Sequence, residues 1–207
     1  MARTALFILY KIFFNVKSTG LEQIPQDKRG IIFAPNHASY LDPPVIGISL
    51  RKHITYLAKG YLFRKPFLGT LLRWMGFLPI KSQTNDFRSM RQMLRLLEAG
   101  KRVVVFPEGT RSGDGGLKDP EPGVGFMAIK SRAYVVPVYI EGSFEAFPKS
   151  AKFFRCHPVQ AHFGEAFLPA ADQSLMEQKD PYFAASLKIM AEIRKMKEKV
   201  EKEKRCS

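Results

Sequence analysis

His37 and Asp42 stand five positions apart in the stretch Ile31 to Asp42, IIFAPNHASYLD. An imidazole held through one nitrogen by a carboxylate keeps a single tautomer, and its other nitrogen is then free to take a proton from a hydroxyl. The spacing restricts how the two side chains can meet. Five residues along a strand put them on opposite faces, and five along a helix put them roughly 140° apart around the axis. Contact therefore needs a bend. Pro35, Asn36 and Ser39 are bend-forming residues, and Asp42 ahead of Pro43 reads as a helix N-cap with proline at the first helical position. The expected order is strand, turn, helix start, with the imidazole on the turn and the carboxylate at the helix mouth. A structural reading is open beside it: Ser39 to Asp42 fits the S-x-x-D capping pattern, with Asp42 only a cap and His37 a turn residue bonded to a backbone carbonyl.

A second set of polar residues follows Val103 to Phe106, a uniformly apolar stretch expected to be a central strand. Pro107-Glu108-Gly109-Thr110-Arg111-Ser112 comes directly after it. Charged residues in that position fall at the carboxyl edge of a sheet, where open α/β folds place ligands. The planar fork of Arg111 is suited to two phosphate oxygens at once. The competing reading is a structural turn in which Glu108 and Arg111 pair with each other.

The elements around these residues alternate. Strands are expected at Ile31 to Ala34, Ile54 to Ala58, Val103 to Phe106, Tyr134 to Ile140 and Val159 to Phe163, with Pro137 marking an irregular position in the fourth. Helices are expected over Pro43 to Leu50, Asp86 to Glu98 and Phe126 to Arg132, and a charged, solvated one from Pro181 with Glu198–Lys202 and Glu201–Arg205 pairs. Gly113 to Gly125 reads as a loop and matches no phosphate-binding fingerprint. Tyr61 to Ile80 is apolar, dotted with Arg64, Lys65 and Arg73, and broken by Pro66, Gly69 and Gly76. It reads either as a basic-rimmed flap against lipid or as a buried helix pair with snorkelling cations. The expected fold is a single α/β domain with a mixed, largely parallel central sheet flanked by helices, plus an N-terminal interfacial helix.

That helix is Ala5 to Phe14, ALFILYKIFF, interrupted by Lys11 and flanked by Arg3 and Lys17. It is too short for a membrane span and has no cleavage site of the secretory kind. Two readings are open: a helix lying in the membrane interface, or one packed on the core. The expected division is residues 1–19 as the interface helix and 20–207 as the main domain.

Composition narrows the partners. The formal net charge of +14, from 33 Lys and Arg against 19 Asp and Glu, calls for a negatively charged partner: nucleic acid, an anionic membrane or a phosphorylated substrate. Nothing resembles a zinc finger or the aromatic RNA-binding block, so nucleic acid is not expected. Cys156 and Cys206 form neither a disulfide framework nor a metal-site pair. His157 and His162 face opposite ways on a strand, and there is no H-E-x-x-H, so no metal is expected. There is no G-x-S-x-G elbow, and neither cysteine sits in an activating motif. A histidine–aspartate pair without a protein nucleophile suits direct transfer, in which the base deprotonates a substrate hydroxyl that attacks an activated acyl group.

Asn36-His37-Ala38-Ser39-Tyr40-Leu41-Asp42 resembles the NHxSxxD block of the 1-acyl-glycerol-3-phosphate acyltransferase family. Phe106 to Ser112 resembles its FPEGTRS block, and Val136-Pro137-Val138 its VPV block, in the same order, with the likeness running from about Gly20 to about Pro148. The resemblance implies His37 as general base, Asp42 as its orienting partner, and Glu108, Gly109, Thr110 and Arg111 as binders of the glycerol-phosphate part of the acceptor. Lys81 stands where the family's second block ends in arginine. It keeps the charge but not the fork. The resemblance implies an α/β fold, acyl-CoA or acyl-carrier protein as donor, and a lysophospholipid such as lysophosphatidic acid as acceptor; no cofactor is expected. Independently, a basic chain without a span and with a greasy N-terminus suits a peripheral enzyme on the cytoplasmic face of an anionic membrane.

Overall fold

The computed structural model of the chain describes residues 10–50, 54–66, 68–74, 76–80 and 87–206. All five residues of strand β2 (Ile31–Pro35) are buried. Ile31 and Phe33 enter one apolar cluster, while Ile32 and Ala34 enter another. Strand β6 (Tyr134–Glu141) alternates the same way, with Val136, Val138 and Ile140 in the first cluster and Val135 and Tyr139 in the second. Both faces of the sheet are therefore covered, which is why these strands read as continuous apolar runs.

The remaining strands are β1 (Lys17–Thr19), β3 (Thr55–Lys59), β4 (Phe77–Ile80), β5 (Arg102–Val104) and β7 (Gln160–Phe163). Their order in the sheet is β1-β7-β6-β2-β5-β3-β4. The five from β6 to β4 are mutually parallel, whereas β7 runs antiparallel to β6 and carries β1 parallel to itself. Helix α1, described over residues 10–14, and α2 (Asp42–Leu50) cover the first face through Tyr10, Phe14, Val45 and Ile46. Helices α4 (Phe87–Glu98), α5 (Gly123–Ser131) and α8 (Pro181–Arg205) cover the second through Met93, Leu97, Val124, Ala128, Ile189 and Ile193. Three short helices, α3 (Leu68–Trp74), α6 (Ser143–Ala146) and α7 (Gln173–Met176), complete the described α-helices, and 3-10 turns lie at Leu21–Gln23, Gly60–Arg64 and Pro169–Ala171.

The mixed, largely parallel α/β sheet is the expected architecture. Four local outcomes differ from the sequence reading. The stretch from Tyr61 to Ile80 is helical only in its first part, a 3-10 helix at Gly60–Arg64 followed by α3, with Arg73 over the ring of the buried Phe63 at 5.6 Å. It supplies α3 and the edge strand β4, and it buries Phe63, Leu72 and Phe77. Pro79 suits an edge strand because no ladder bond is needed on its open side. Strand β1 carries no apolar alternation and takes its place only by pairing with β7. Strand β6 runs unbroken through Pro137. Val135 exchanges backbone bonds with Phe167, and two residues on, Pro137 faces the same neighbour and accepts a bond from Gly164 N. The chain bulges away between Phe163 and Phe167, so the N–H that proline lacks has no partner to lose there.

The charged C-terminal helix is not merely solvated. Ala185, Ser186, Ile189, Met190, Ile193 and Val200 of α8 are buried, because apolar residues three and four apart form one stripe within the charged sequence. Gly125 of α5 lies so close that an added Cβ would stand 2.0 Å from the Tyr182 carbonyl oxygen. Among the described residues the expected Glu198–Lys202 and Glu201–Arg205 pairs do not form. Lys197 pairs with Glu201 at 3.7 Å, and Lys204 reaches Glu141 across to β6.

The fold has one consequence for chemistry. Strands β2 and β5 are parallel neighbours, so the chain leaving Pro35 and the chain leaving Val104 emerge at the same edge of the sheet.

Candidate active site

Asn36, directly after β2, is buried, and its side chain is satisfied twice by one residue of β6. Its amide donates to Ile140 O at 3.0 Å, and its carbonyl accepts from Ile140 N at 2.7 Å. The bend therefore starts from a fixed point. Ser39 completes it, donating its hydroxyl to Phe147 O at 2.7 Å and accepting from Leu41 N at 3.1 Å. This local cap starts α2 and delivers Asp42, fully buried, at the helix mouth.

One carboxylate oxygen of Asp42, Oδ2, takes three donors. Ala38 N, Ser39 N and His37 Nδ1 all lie 2.8 Å from it. An oxygen that already accepts two backbone N–H groups makes the imidazole nitrogen the donor, so the proton of the neutral ring sits on Nδ1 and Nε2 carries the lone pair. The ring is held in plane by Phe106, stacked at a centroid distance of 3.9 Å with 23° between planes. The His37 side chain keeps 17% of its surface exposed. The imidazole is thus oriented from one side and open on another. The capping contact of the structural reading forms, with Ser39 N on Asp42 Oδ2, but the same oxygen also orients His37, whose ring bonds this carboxylate and not a backbone carbonyl.

The loop after β5 closes against this turn. Ser112 N donates to His37 O at 2.7 Å, and Glu108 Oε1 accepts from His37 N at 2.9 Å. The other Glu108 oxygen accepts from Lys118 N at 3.3 Å. Glu108 is buried and its carboxylate bridges two backbone segments; no Glu108–Arg111 ion pair forms among the described residues. Gly109 takes a φ of 65°, the left-handed region where a side chain is strained. Thr110 is exposed, and its hydroxyl accepts from Lys118 Nζ at 2.8 Å. The Arg111 guanidinium carbon lies over the Tyr40 ring, 3.5 Å from its centroid. Its Nη1 is buried and has no hydrogen-bond partner among the described residues.

The structure therefore brings His37, Asp42, Glu108, Gly109, Thr110 and Arg111 to one corner at the carboxyl edge of the sheet. Lys81 lies outside the described residues. Tyr40, Phe106 and Lys118 belong to the same corner and were not singled out from the sequence. Phe106 and Tyr40 sit inside the two blocks, but nothing in one dimension pairs them with His37 and Arg111. Lys118 comes from the Gly- and Pro-rich loop, whose fold depends on the buried Glu108.

Burial pushes the Glu108 carboxyl up from its ordinary 4.5 to about 7, against the opposing pull of the His37 and Lys118 backbone N–H groups. The folded chain holds this proton more tightly than the unfolded chain does. Its contribution to stability is therefore complete below about 4.5 and is lost as pH rises through about 7. Relative to a Glu108→Gln variant, the parent chain is expected to lose up to about 3 kcal/mol across that window. Denaturant melts of both proteins at several pH values measure it, and parallel pH profiles would remove the assignment.

The acyltransferase family profile matches residues 15–141, which include both polar blocks. The chain is 32% identical over 144 residues to the chloroplast 1-acyl-sn-glycerol-3-phosphate acyltransferase LPAT1 of Arabidopsis thaliana, covering 68% of this chain and 40% of that protein. It is 27% identical to the 1-acyl-sn-glycerol-3-phosphate acyltransferase of Bacillus subtilis over 95% of this chain and 96% of that one. The chain thus spans about two fifths of the plant relative and nearly all of the bacterial one. The crystal structure of a 1-acyl-sn-glycerophosphate acyltransferase from Thermotoga maritima superposes with a TM-score of 0.71 at 23% identity, covering 95% of this chain and 81% of that chain. That likeness carries the fold. With the profile covering more than half of its residues and both of its polar blocks, the chain belongs to the acyltransferase family.

Proposed function

We propose that the protein is an O-acyltransferase that moves a fatty acyl group from an acyl-CoA or acyl-carrier-protein thioester to the free hydroxyl of 1-acyl-sn-glycerol-3-phosphate, giving phosphatidic acid. The observation that carries this reading is the His37 ring held at 2.8 Å from Asp42, with Nε2 left as the basic nitrogen. Nε2 takes the proton of the acceptor hydroxyl as its oxygen attacks the thioester carbonyl. The tetrahedral intermediate then collapses, the carbon–sulfur bond breaks, and the leaving thiolate takes the proton back from the imidazolium. No acyl group is attached to the protein at any stage. Asp42 stabilises the positive ring while it exists.

The loop after β5 is the acceptor site in this reading. Arg111 supplies the fork to the phosphate, and its unpartnered, buried Nη1 is a donor suited to an anionic oxygen. Thr110 and Lys118 stand beside it, and Gly109 permits the turn. Glu108 holds the loop against the His37 turn, since its two oxygens are engaged by the His37 and Lys118 backbone N–H groups. Lys81 is retained as a further acceptor contact. The site works without a cofactor in this mechanism.

Tyr40 sets the plane of the Arg111 fork. Tyr40→Leu is expected to raise the acceptor KM roughly 3–30-fold with little change in kcat. Tyr40→Phe keeps the ring and the parent KM. Equal KM values for both variants would remove the positioning role.

The protein is proposed to act peripherally on the cytoplasmic face of an anionic membrane. A net charge of +14 supports contact with an anionic surface. The test of the reaction is a single-turnover assay of the purified chain with lysophosphatidic acid and, separately, acyl-CoA and acyl-carrier protein. Phosphatidic acid formation supports the reading. Absence of product with both donors, or preference for an acceptor without a phosphate in a lysolipid panel, rejects it.

A further inference from the structure

Phe153 at 83% and Ile12 at 71% are the two most exposed large apolar side chains among the described residues. They come from segments far apart in the chain, and the residues next to each of them meet. Phe154, itself 47% exposed, packs its ring against Phe13 at 5.3 Å and Phe14 at 5.5 Å. The loop that carries Phe153 and Phe154 is tied at its base. Pro148 bridges to Ser39, Phe147 O takes the Ser39 hydroxyl, and Arg155 N donates to Ala146 O at 2.7 Å. The two rings are therefore presented to water by a braced loop and not by a loose end.

The charges around them have one sign. Lys11, Lys149, Lys152 and Arg155 are exposed, and none has an ion-pair partner among the described residues. Between 143 and 157 the only acidic residue is Glu145, and between 10 and 21 there is none. The patch also adjoins the catalytic corner. Phe147 lies 5.6 Å from the Tyr40 ring, and the buried Tyr10 hydroxyl of α1 is close enough to Asp42 for that carboxylate to reinforce what burial does to it.

We propose that Phe153 and Phe154, together with Ile12 and Phe13, insert into an anionic phospholipid bilayer, with Lys11, Lys149, Lys152 and Arg155 at the headgroups, and so seat the bilayer at the mouth of the His37 turn. This rests on the membrane reading given above and adds the surface that makes the contact. Aromatic rings flanked by cations match the boundary between acyl chains and anionic headgroups. Each basic residue near such a surface contributes roughly fivefold to partition. A second copy of the chain is a poorer occupant, because it would bring the same four cations against these. An acidic protein would meet the cations but leave the protruding rings without a groove.

The test uses the full chain with a Phe153→Trp substitution, its emission compared with that of the parent, which holds only Trp74. Vesicles are phosphatidylcholine alone or mixed with phosphatidylglycerol, with and without brominated acyl chains. Leu187→Trp is the control, since α8 lies on the opposite face of the sheet. Mixed vesicles are expected to shift the emission of the indole added by Phe153→Trp to the blue and to quench it through the brominated chains, leaving the control in water. Phe153→Ser, at a site with almost no packing to lose, is expected to weaken partition about tenfold with an unchanged melt. Three results overturn the proposal. Binding to mixed vesicles without a shift at 153 defeats this surface and spares the membrane reading. No binding by the parent chain defeats both. Loss of self-association in Phe153→Ser with unchanged vesicle partition assigns the patch to a second copy.

Discussion

Replacing His37 by Ala is expected to lower kcat by roughly 10²–10⁴-fold, the range that a positioned general base supplies, while leaving the melt and vesicle binding close to the parent's. His37 touches the rest of the corner through one hydrogen bond and one ring face, and its backbone bonds to Glu108 and Ser112 survive the substitution. The variant therefore keeps the turn and loses the base. Asp42→Asn separates orientation from charge. All three donors at Asp42 meet a single oxygen, and an asparagine can present its carbonyl oxygen to the same three. The tautomer is kept, and what disappears is the negative charge that stabilises the imidazolium. A neighbouring opposite charge favours a charged group by roughly 10–10³-fold, and kcat is expected to fall by that amount. The amide nitrogen would take the place of Oδ1, which is buried and has no partner among the described residues, so some stability is lost too. The double variant is expected to be no worse than His37→Ala, because the pair acts as a unit. Turnover in His37→Ala within a few-fold of the parent would end the assignment.

Replacing Arg111 by Ala is expected to lower kcat/KM for lysophosphatidic acid by roughly 10²-fold or more. Each charge-assisted hydrogen bond contributes about 1.5–3 kcal/mol, and a guanidinium fork makes two. Arg111→Lys keeps the charge but has neither the fork nor the flat face that rests on Tyr40, so it is expected to restore only part of the loss. The discriminating measurement compares acceptors. An uncharged monoacylglycerol should react poorly with the parent and equally poorly with both variants, since no phosphate is there to grip. If the variants depress both acceptors in proportion, Arg111 supports the fold of the loop and binds no phosphate.

Some of this corner was legible in one dimension because it is built from local chemistry. The bend from Pro35 to Asp42 follows from residues that favour bends and caps. The His37–Asp42 contact follows from that bend, and residues five apart need no distant partner to meet. The apolar runs at Ile31 and Val103 announce buried parallel strands by themselves. Elements that depend on a neighbour were not legible. Strand β1 has no pattern of its own and exists through β7. The tolerance of Pro137 in an inner strand rests on the bulge between Phe163 and Phe167. The apolar stripe of α8 was masked by the charges between its members, and its burial depends on α5 and β6 being there to receive it.

The class of fold and a turn carrying both an imidazole and a carboxylate could be read from the residues alone, because hydrophobic period and capping chemistry act over a few residues. That the two side chains pair, and that the loop after Val104 closes on their turn, follows from the folded chain. It places Glu108 on the His37 backbone and Arg111 on the Tyr40 ring. Those contacts join residues some seventy positions apart, and they form because two parallel strands that are neighbours in the sheet must release their chains at the same edge.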